Sequence, residues 1–215
     1  MSETVAAPII AIDGPAAAGK GTLARRLATE LGLPYLDTGL LYRAVGRRVL
    51  DAGADPNDHA AAIAAAEALR PMDVLRDDLR GPDADAAAAA IASLPAVRAV
   101  LLDFQRNYAA GRGAVLDGRD IGTVIFPDAP VKFFITASLP ARARRRFLEL
   151  QAKGTPADYS RVEADMQARD AQDSARAAAP LRPADDAILL DTTNMDPDAA
   201  FGAALAVVRE RLGAL

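Results

Sequence analysis

A short apolar run that stops at an acid and opens at once into a glycine turn constrains this chain more than any other feature. Residues 9–22 read "IIAIDGPAAAGKGT". The branched residues predict a buried strand over "PIIAID", residues 8–13, turning at Gly14 and Pro15. Lys20 to Leu31 then reads as a helix closed by Gly32 and Pro34. Gly14, Gly19 and Lys20 keep the G-x-x-x-x-G-K spacing of a phosphate-binding loop. In that context successive backbone N–H groups and the helix amino end gather phosphate oxygens, and the lysine reaches the terminal phosphates. The position after the lysine ordinarily carries Ser or Thr; here it is Gly21, and the hydroxyl comes one residue late, at Thr22.

The rest of the chain alternates strands with helices. "YLD" (Tyr35 to Asp37), "GAVLDG" (Gly113 to Gly118), "VKFFI" (Val131 to Ile135) and "AILLD" (Ala187 to Asp191) read as short apolar strands. Helices are expected over Gly39 to Ala52, Leu139 to Lys153, Tyr159 to Arg176 and Pro197 to Leu212. This alternation predicts an α/β fold, a parallel sheet covered on both faces by helices. Residues 55–94 differ. They are alanine-rich, broken by Pro56, Pro71 and Gly81-Pro82, and offer no core strand, so a mostly helical insertion is expected.

Bulk charge narrows the partners. The 215 residues carry 25 basic and 29 acidic side chains, a net charge of -4, which argues against nucleic acid or an anionic membrane as partner. No apolar run approaches the roughly 18 residues of a membrane span. The opening "MSETVAAPIIAID" has no basic segment before its apolar run, so a signal peptide is not expected. Without cysteine there is no disulfide or thiolate metal site. A cytoplasmic, soluble protein is the expectation. Of the basic residues only Lys20, Lys132 and Lys153 are lysines; the remainder are arginines, whose planar fork suits phosphate oxygens.

Three further blocks carry chemistry. In "LDTGLLYRA", Asp37 and Thr38 end a strand, Gly39 opens a helix, and Tyr42 and Arg43 lie one turn inside it. In "VLDGRDIGTVIFPDAPVK", Asp117, Arg119 and Asp120 follow a strand end, where ligands of parallel sheets bind. On the helices, Arg142, Arg145 and Arg146 share one face, and Arg169, Asp173 and Arg176 share another. Two such faces around "QAKGTPADYS" predict a flap that closes over polyphosphate. His59, the lone histidine, is expected at the surface, which discounts a Ser-His triad or a histidine metal site.

Taken together, "IDGPAAAGKGT", "LDTGLLYRA", "LPAVRAVLL", "LDGRDIGTVIFPDAPVKFF", "RARRRFLELQAKG", "RDAQDSARAAAPL" and "LLDTT" resemble the bacterial cytidylate kinases, a branch of the nucleoside monophosphate kinases. The resemblance covers nearly the whole chain, and the block "DGRDIGTVIFPDAPVK" is its most specific part. It implies a P-loop kinase three-layer fold with a five-stranded parallel sheet, as one domain over residues 1–215. The core would be about 1–54, 95–152 and 177–215, with a shortened nucleotide-acceptor insertion at 55–94 and a helical lid at 153–176. It implies transfer from ATP, with Mg2+, to CMP or dCMP, by a monomer.

The same resemblance implies roles. Gly14, Pro15, Ala16, Ala17, Ala18, Gly19, Lys20, Gly21 and Thr22 would hold the ATP phosphates, with the arginine face around Arg145 and Arg146 acting beside the lid segment. Arg43 and Arg119 would hold the CMP phosphate. Arg98, Asp120 and Arg176 would read the cytosine edge, and Arg169 and Asp173 the sugar, with Thr38, Tyr42 and Asp117 also on the acceptor side. Lys20, Arg119, Arg169 and Arg176 would carry the catalysis. Magnesium would have no direct protein ligand, Thr22 and Asp117 acting through water.

Three departures stand out. "VLRDDL" (residues 74–79) is too short for the small sheet often found in the insertion. Ala89 stands where better-studied members have a base-contacting serine, nine residues before the "PAVR" arginine; Ser93 lies four residues on. Gln172 and Ser174 occupy lid positions that are commonly charged. Ala89 keeps a UMP kinase open as an alternative, and an inactive nucleotide-binding regulator is another.

Overall fold

The structure, a computed structural model, describes residues 7–213. The reading of the amino terminus as free of a basic leader falls in part on residues 1–6, outside the described residues. The order is β1 (Ile9–Asp13), α1 (Lys20–Leu31), β2 (Tyr35–Asp37), α2 (Thr38–Asp51), α3 (His59–Glu67), α4 (Pro82–Ala92), α5 (Pro95–Ala109), β3 (Ala114–Gly118), β4 (Val131–Thr136), α6 (Leu139–Ala152), α7 (Tyr159–Ala175), β5 (Ile188–Asp191) and α8 (Pro197–Leu212). Contacts divide the chain into two compact units: residues up to Leu36 with those from Gly111 on, and Asp37–Ala110.

The larger unit is built on a five-stranded parallel sheet in the order β2-β3-β1-β4-β5. β1 lies at the centre, parallel to β3 and β4, and β4 is parallel to β5. Ile10 and Ile12 of β1, Val115 of β3, and Val131, Phe133 and Ile135 of β4 pack with Leu23 and Leu27 of α1 and Leu205 and Val208 of α8. Full burial of each larger side chain here is worth about 1.5–3 kcal/mol. The sequence reading expected both faces of every strand to be buried. β1 and β3 meet that expectation, but β5 alternates, and Leu189 is 64% exposed. β5 is one of the two edge strands, and the face that carries Leu189 is open to solvent.

The register sets the site. Ile12 pairs with Asp117 and Asp13 with Gly118, so two acids end neighbouring strands at the carboxyl edge of the sheet, where parallel α/β proteins bind ligands. Gly14 turns the chain away from that edge. A Cβ there would sit 2.0 Å from the Ile135 carbonyl oxygen, so no larger residue fits.

The smaller unit is helical. α3 starts under the cap of Asp58, whose carboxylate accepts from Ala60 N and Ala61 N. Two 3-10 turns, Pro71–Leu75 and Asp77–Leu79, follow, then α4. No strand occurs among residues 55–94, as the short "VLRDDL" segment predicts. α4 lays Ala84, Ala87, Ala88 and Ile91 inward. A Cβ on Gly46 of α2 would come within 2.8 Å of Ala87 Cβ and 3.2 Å of Ala87 C. The helices therefore meet almost backbone to backbone. Gly46→Ala should destabilise the protein by about 1–3 kcal/mol through overpacking, measured by urea unfolding; an unchanged midpoint would mean this seam is looser than it looks. His59, as expected, is exposed.

Candidate active site

The phosphate loop joins β1 to α1. Gly19 (φ 92) precedes the helix, and no side chain caps its amino end. Ala17, a non-glycine, takes φ 58, a conformation costing an L-residue roughly 1 kcal/mol or more. Lys20 is only 6% exposed, and its ammonium donates to the Pro15 carbonyl at 2.8 Å, folding under the loop it follows. Thr22 is exposed. Asp117 is buried, and its Oδ1 accepts from the Tyr35 hydroxyl at 3.0 Å. Asp117 Oδ2 lies 3.6 Å from where a Gly21 Cβ would be. The residue after Lys20 thus faces a carboxylate. A side chain there would meet ordinary contacts, so Gly21 is not imposed by crowding.

Asp13, which closes β1 and lies in "IDGPAAAGKGT", was given no role by the sequence reading. Its carboxylate accepts from Ile121 N (2.8 Å) and Gly122 N (2.7 Å). It thereby ties the end of β1 to the π-helical turn Ile121–Ile125 that follows "DGRD". Lys132 supports the same turn from below. Its stem passes the Gly122 position, and its ammonium binds Asp186 (2.8 Å) and the Pro127 carbonyl. Burial pushes the Asp13 carboxyl up to about 6, against the pull of the Gly122 and Ile121 N–H groups; Asp120 adds to the rise and Lys20 opposes it.

The sign follows from linkage. Between the ordinary 3.8 and about 6, folded Asp13 keeps a proton that the unfolded chain has lost. Its contribution to stability is therefore fully present below the ordinary value and is lost as pH climbs through 6, up to about 3 kcal/mol. A carbon-detected titration of Asp13 should show a midpoint near 6. A midpoint in the ordinary carboxylate range would show that its two N–H partners outweigh burial.

The second cluster is built on α7 and the strand end after β3. Arg119 Nε donates to Asp173 Oδ2 at 2.8 Å, and Arg119 Nη1 to its neighbour Gly118 O at 3.2 Å. Arg176 Nη2 meets Asp173 Oδ1 at 2.5 Å. Asp173 is 2% exposed. Burial pushes its carboxyl up, but the guanidiniums of Arg119, Arg176 and Arg169 outweigh burial and hold it below the ordinary range. Its contribution is therefore present at neutral pH and lost in acid, opposite to Asp13. Arg176 Nε is buried without a protein partner.

The shared face of Arg142, Arg145 and Arg146 resolves into three fates. Arg145 donates to Thr192 Oγ1 and O, and Thr192 Oγ1 in turn to the Ala18 carbonyl at 3.0 Å. Arg146 pairs with Glu149 at 3.0 Å. Arg142 is buried against Ala137, Ala16 and Asp170. Thr192 and Asp170 fall within the blocks "LLDTT" and "RDAQDSARAAAPL", but nothing in those blocks named their partners, which lie far along the chain.

The smaller unit holds the other predicted residues. Thr38 is buried at the start of α2. Arg43 Nε and Nη2 both donate to Asp85 Oδ1, at 2.9 and 2.7 Å. The Arg98 guanidinium lies 5.7 Å from the centre of the Tyr42 ring, and its Nη1 reaches the Ala92 carbonyl at 3.4 Å. Ala89 is partly buried on α4. The Ser93 hydroxyl one turn on is spent on the Ala90 carbonyl at 2.6 Å. Among the described residues there is no group of three or more His, Cys, Asp or Glu side chains placed to hold a metal ion. No single described helix is long and apolar enough to cross a membrane.

Comparison with known proteins decides the family. The cytidylate kinase family profile matches residues 10–210. The chain belongs to the cytidylate kinase family. A cytidylate kinase of Granulibacter bethesdensis is 63% identical over 203 residues, 94% of this chain and 97% of that protein. One of Acidiphilium cryptum is 60% identical, covering 95% and 96%. Among solved structures, an uncharacterized protein from Eubacterium ventriosum aligns with a TM-score of 0.55 at 16% identity, covering 95% of this chain and 99% of that one. TT1252 from Thermus thermophilus aligns at 0.51 and 21%, covering 97% and 100%. At those identities the likeness concerns the fold alone. The cytidylate kinase family thus supplies the context for every arginine described above.

Proposed function

We propose that this cytidylate kinase family member transfers the γ-phosphoryl group of ATP to CMP or dCMP, giving ADP and CDP or dCDP. An oxygen of the CMP phosphate forms the new bond to the γ-phosphorus. The bond from that phosphorus to the β,γ-bridging oxygen breaks, and ADP leaves. The attacking oxygen is already anionic, so no general base is required; alignment and charge stabilisation carry the rate. The observation that carries this reading is the buried Asp173, gripped by Arg119 and Arg176, within the unit that also bears the phosphate loop.

In this reading Lys20 and the backbone of residues 14–22 bind the ATP phosphates, with Arg145 and Arg146 acting from the lid, residues 153–176 and the helix before it. Arg119 and Arg43 take the acceptor phosphate. Asp173 orients Arg119 and, with Arg169, contacts the sugar. Arg176, with a donor to spare at Nε, reads the cytosine edge with Arg98 and Asp120. Thr38, Tyr42 and Asp117 complete the acceptor side. Thr22 and Asp117 would reach the Mg2+ of the ATP complex through water, and the ion would supply positive charge to the phosphates. The enzyme works as a cytoplasmic monomer.

A coupled ADP-release assay with CMP, dCMP, UMP and AMP tests the proposal. CMP and dCMP should turn over fastest. UMP well above CMP would favour the second reading, a UMP kinase, which Ala89 and the occupied Ser93 hydroxyl keep in view. Absent turnover with ATP still bound would point to a regulator.

A further inference from the structure

Arg142 spends its guanidinium wholly inside the protein. It is 5% exposed, yet it lies on a helix whose neighbouring Arg144 faces solvent. Its Nε donates to the Ala137 carbonyl at 2.9 Å, at the junction between β4 and α6. Its Nη1 reaches the Ala16 carbonyl of the phosphate loop at 3.3 Å. The same fork grips Asp170 of α7, Nη2 to Oδ2 at 2.6 Å and Nη1 to Oδ1 at 3.2 Å. One planar cation thus touches the loop, the sheet end and the lid helix.

Two features give that junction consequence. The Ala16 carbonyl belongs to the peptide that leads into Ala17, the loop residue with φ 58. A left-handed alanine persists only where its surroundings hold it. The Ala17 methyl itself packs against the small apolar cluster of Ala143 from α6 and Val162 and Met166 from α7. Polar and apolar contacts therefore fasten the same loop peptide to the same pair of helices. On α7, Asp170 directly follows Arg169 and stands three residues before Asp173.

We infer that Arg142 and Asp170 are positioning residues that couple the donor loop to the acceptor-binding face of α7, a role that rests on the acceptor contacts proposed for Arg169 and Asp173. Neither residue needs to touch a nucleotide. Arg142 holds the Ala16 peptide in place, and through Asp170 it fixes α7 along its axis and about it. A lysine at position 142 would keep the charge but lose the fork that spans carbonyl and carboxylate. Asparagine at position 170 would keep the shape and lose the charge.

The test uses Arg142→Lys, Asp170→Asn, the double variant and Arg169→Ala, with KM for CMP and for ATP and kcat measured on each, alongside the melting temperature. Arg142→Lys and Asp170→Asn should each raise the CMP KM about tenfold at saturating ATP, and the double variant should be no worse than the poorer single one, as for two ends of one link. Arg142→Lys should also raise the ATP KM, because it alone frees Ala16. If Arg142→Lys raises only the ATP KM and Asp170→Asn changes neither, Arg142 serves the phosphate loop alone and the link is refuted. Lower melting temperatures with both KM values unchanged would also refute it. Normal CMP kinetics in Asp170→Asn beside an impaired Arg169→Ala overturns the link alone. Normal kinetics in all the variants overturns the acceptor assignment of α7 with it.

Discussion

Arg119→Ala should lower turnover of CMP by about two to three orders of magnitude while ATP still binds. The effect comes from the pairing of Arg119 with Asp173. That carboxylate is buried, and Arg119 Nε supports one oxygen while Arg176 supports the other. Removing Arg119 takes away the proposed donor to the acceptor phosphate. It also leaves a buried carboxylate with less compensation, which costs stability as well as rate. The two effects separate experimentally. Calorimetric titration with ATP reports whether the phosphate loop is intact, and kcat/KM for CMP reports the acceptor side. Arg119→Lys, a point charge without the fork, should fall between the wild type and the alanine variant. Normal CMP kinetics in Arg119→Ala would remove Arg119 from the acceptor site.

Lys20→Ala should reduce kcat by about 10²–10³-fold, with CMP affinity little changed. Lys20 is pre-positioned: it lies almost wholly inside, anchored on the Pro15 carbonyl. A buried ammonium needs that support, and the nearby Asp13 carboxylate supplies more once it ionises. In the proposed reaction the lysine would meet developing charge from a stem already held in place, which gives fixed donors their effect. Lys20→Met keeps most of the stem and should fail equally. Single-turnover kinetics at saturating ATP would check this, since a loss confined to ATP affinity would assign Lys20 to ground-state binding alone.

Much of the fold could be read along the chain because its signals are local. The branched run ending at Asp13, the glycine turn and the closing Gly32 together mark β1, the loop and α1. Pro197 marks the start of α8, where Asp196 accepts from Asp198 N and Ala199 N. The alanine-rich run "ADAAAAAIA", residues 84–92, read as a good helix former within the insertion. What stayed hidden is long-range. Asp13 to Ile121, Arg142 to Asp170, Arg145 to Thr192 and Lys132 to Asp186 join distant segments, and no periodicity announces them. Spacing placed Arg142, Arg145 and Arg146 on one face, but a face does not name a partner: one arginine became internal bracing, one met a threonine and one a neighbouring glutamate. The exposed side of β5 escaped notice for a similar reason, because edge position is a property of the sheet and not of "AILLD".

The close seam between α2 and α4 has a consequence for how the molecule breathes. Alanine has no rotamers to freeze, so ordering α4 costs little side-chain entropy. It also brings little apolar area, so each alanine returns little on burial. Burial along this alanine seam therefore returns less per residue than in the central strands with their isoleucines and Phe133. Backbone amides of α3 and α4 should exchange with solvent through openings of low free energy, while those of β1, β3 and β4 wait for global unfolding. Asp85, which holds Arg43, and the Ala92 carbonyl, which accepts from Arg98, thus lie on a helix expected to open early.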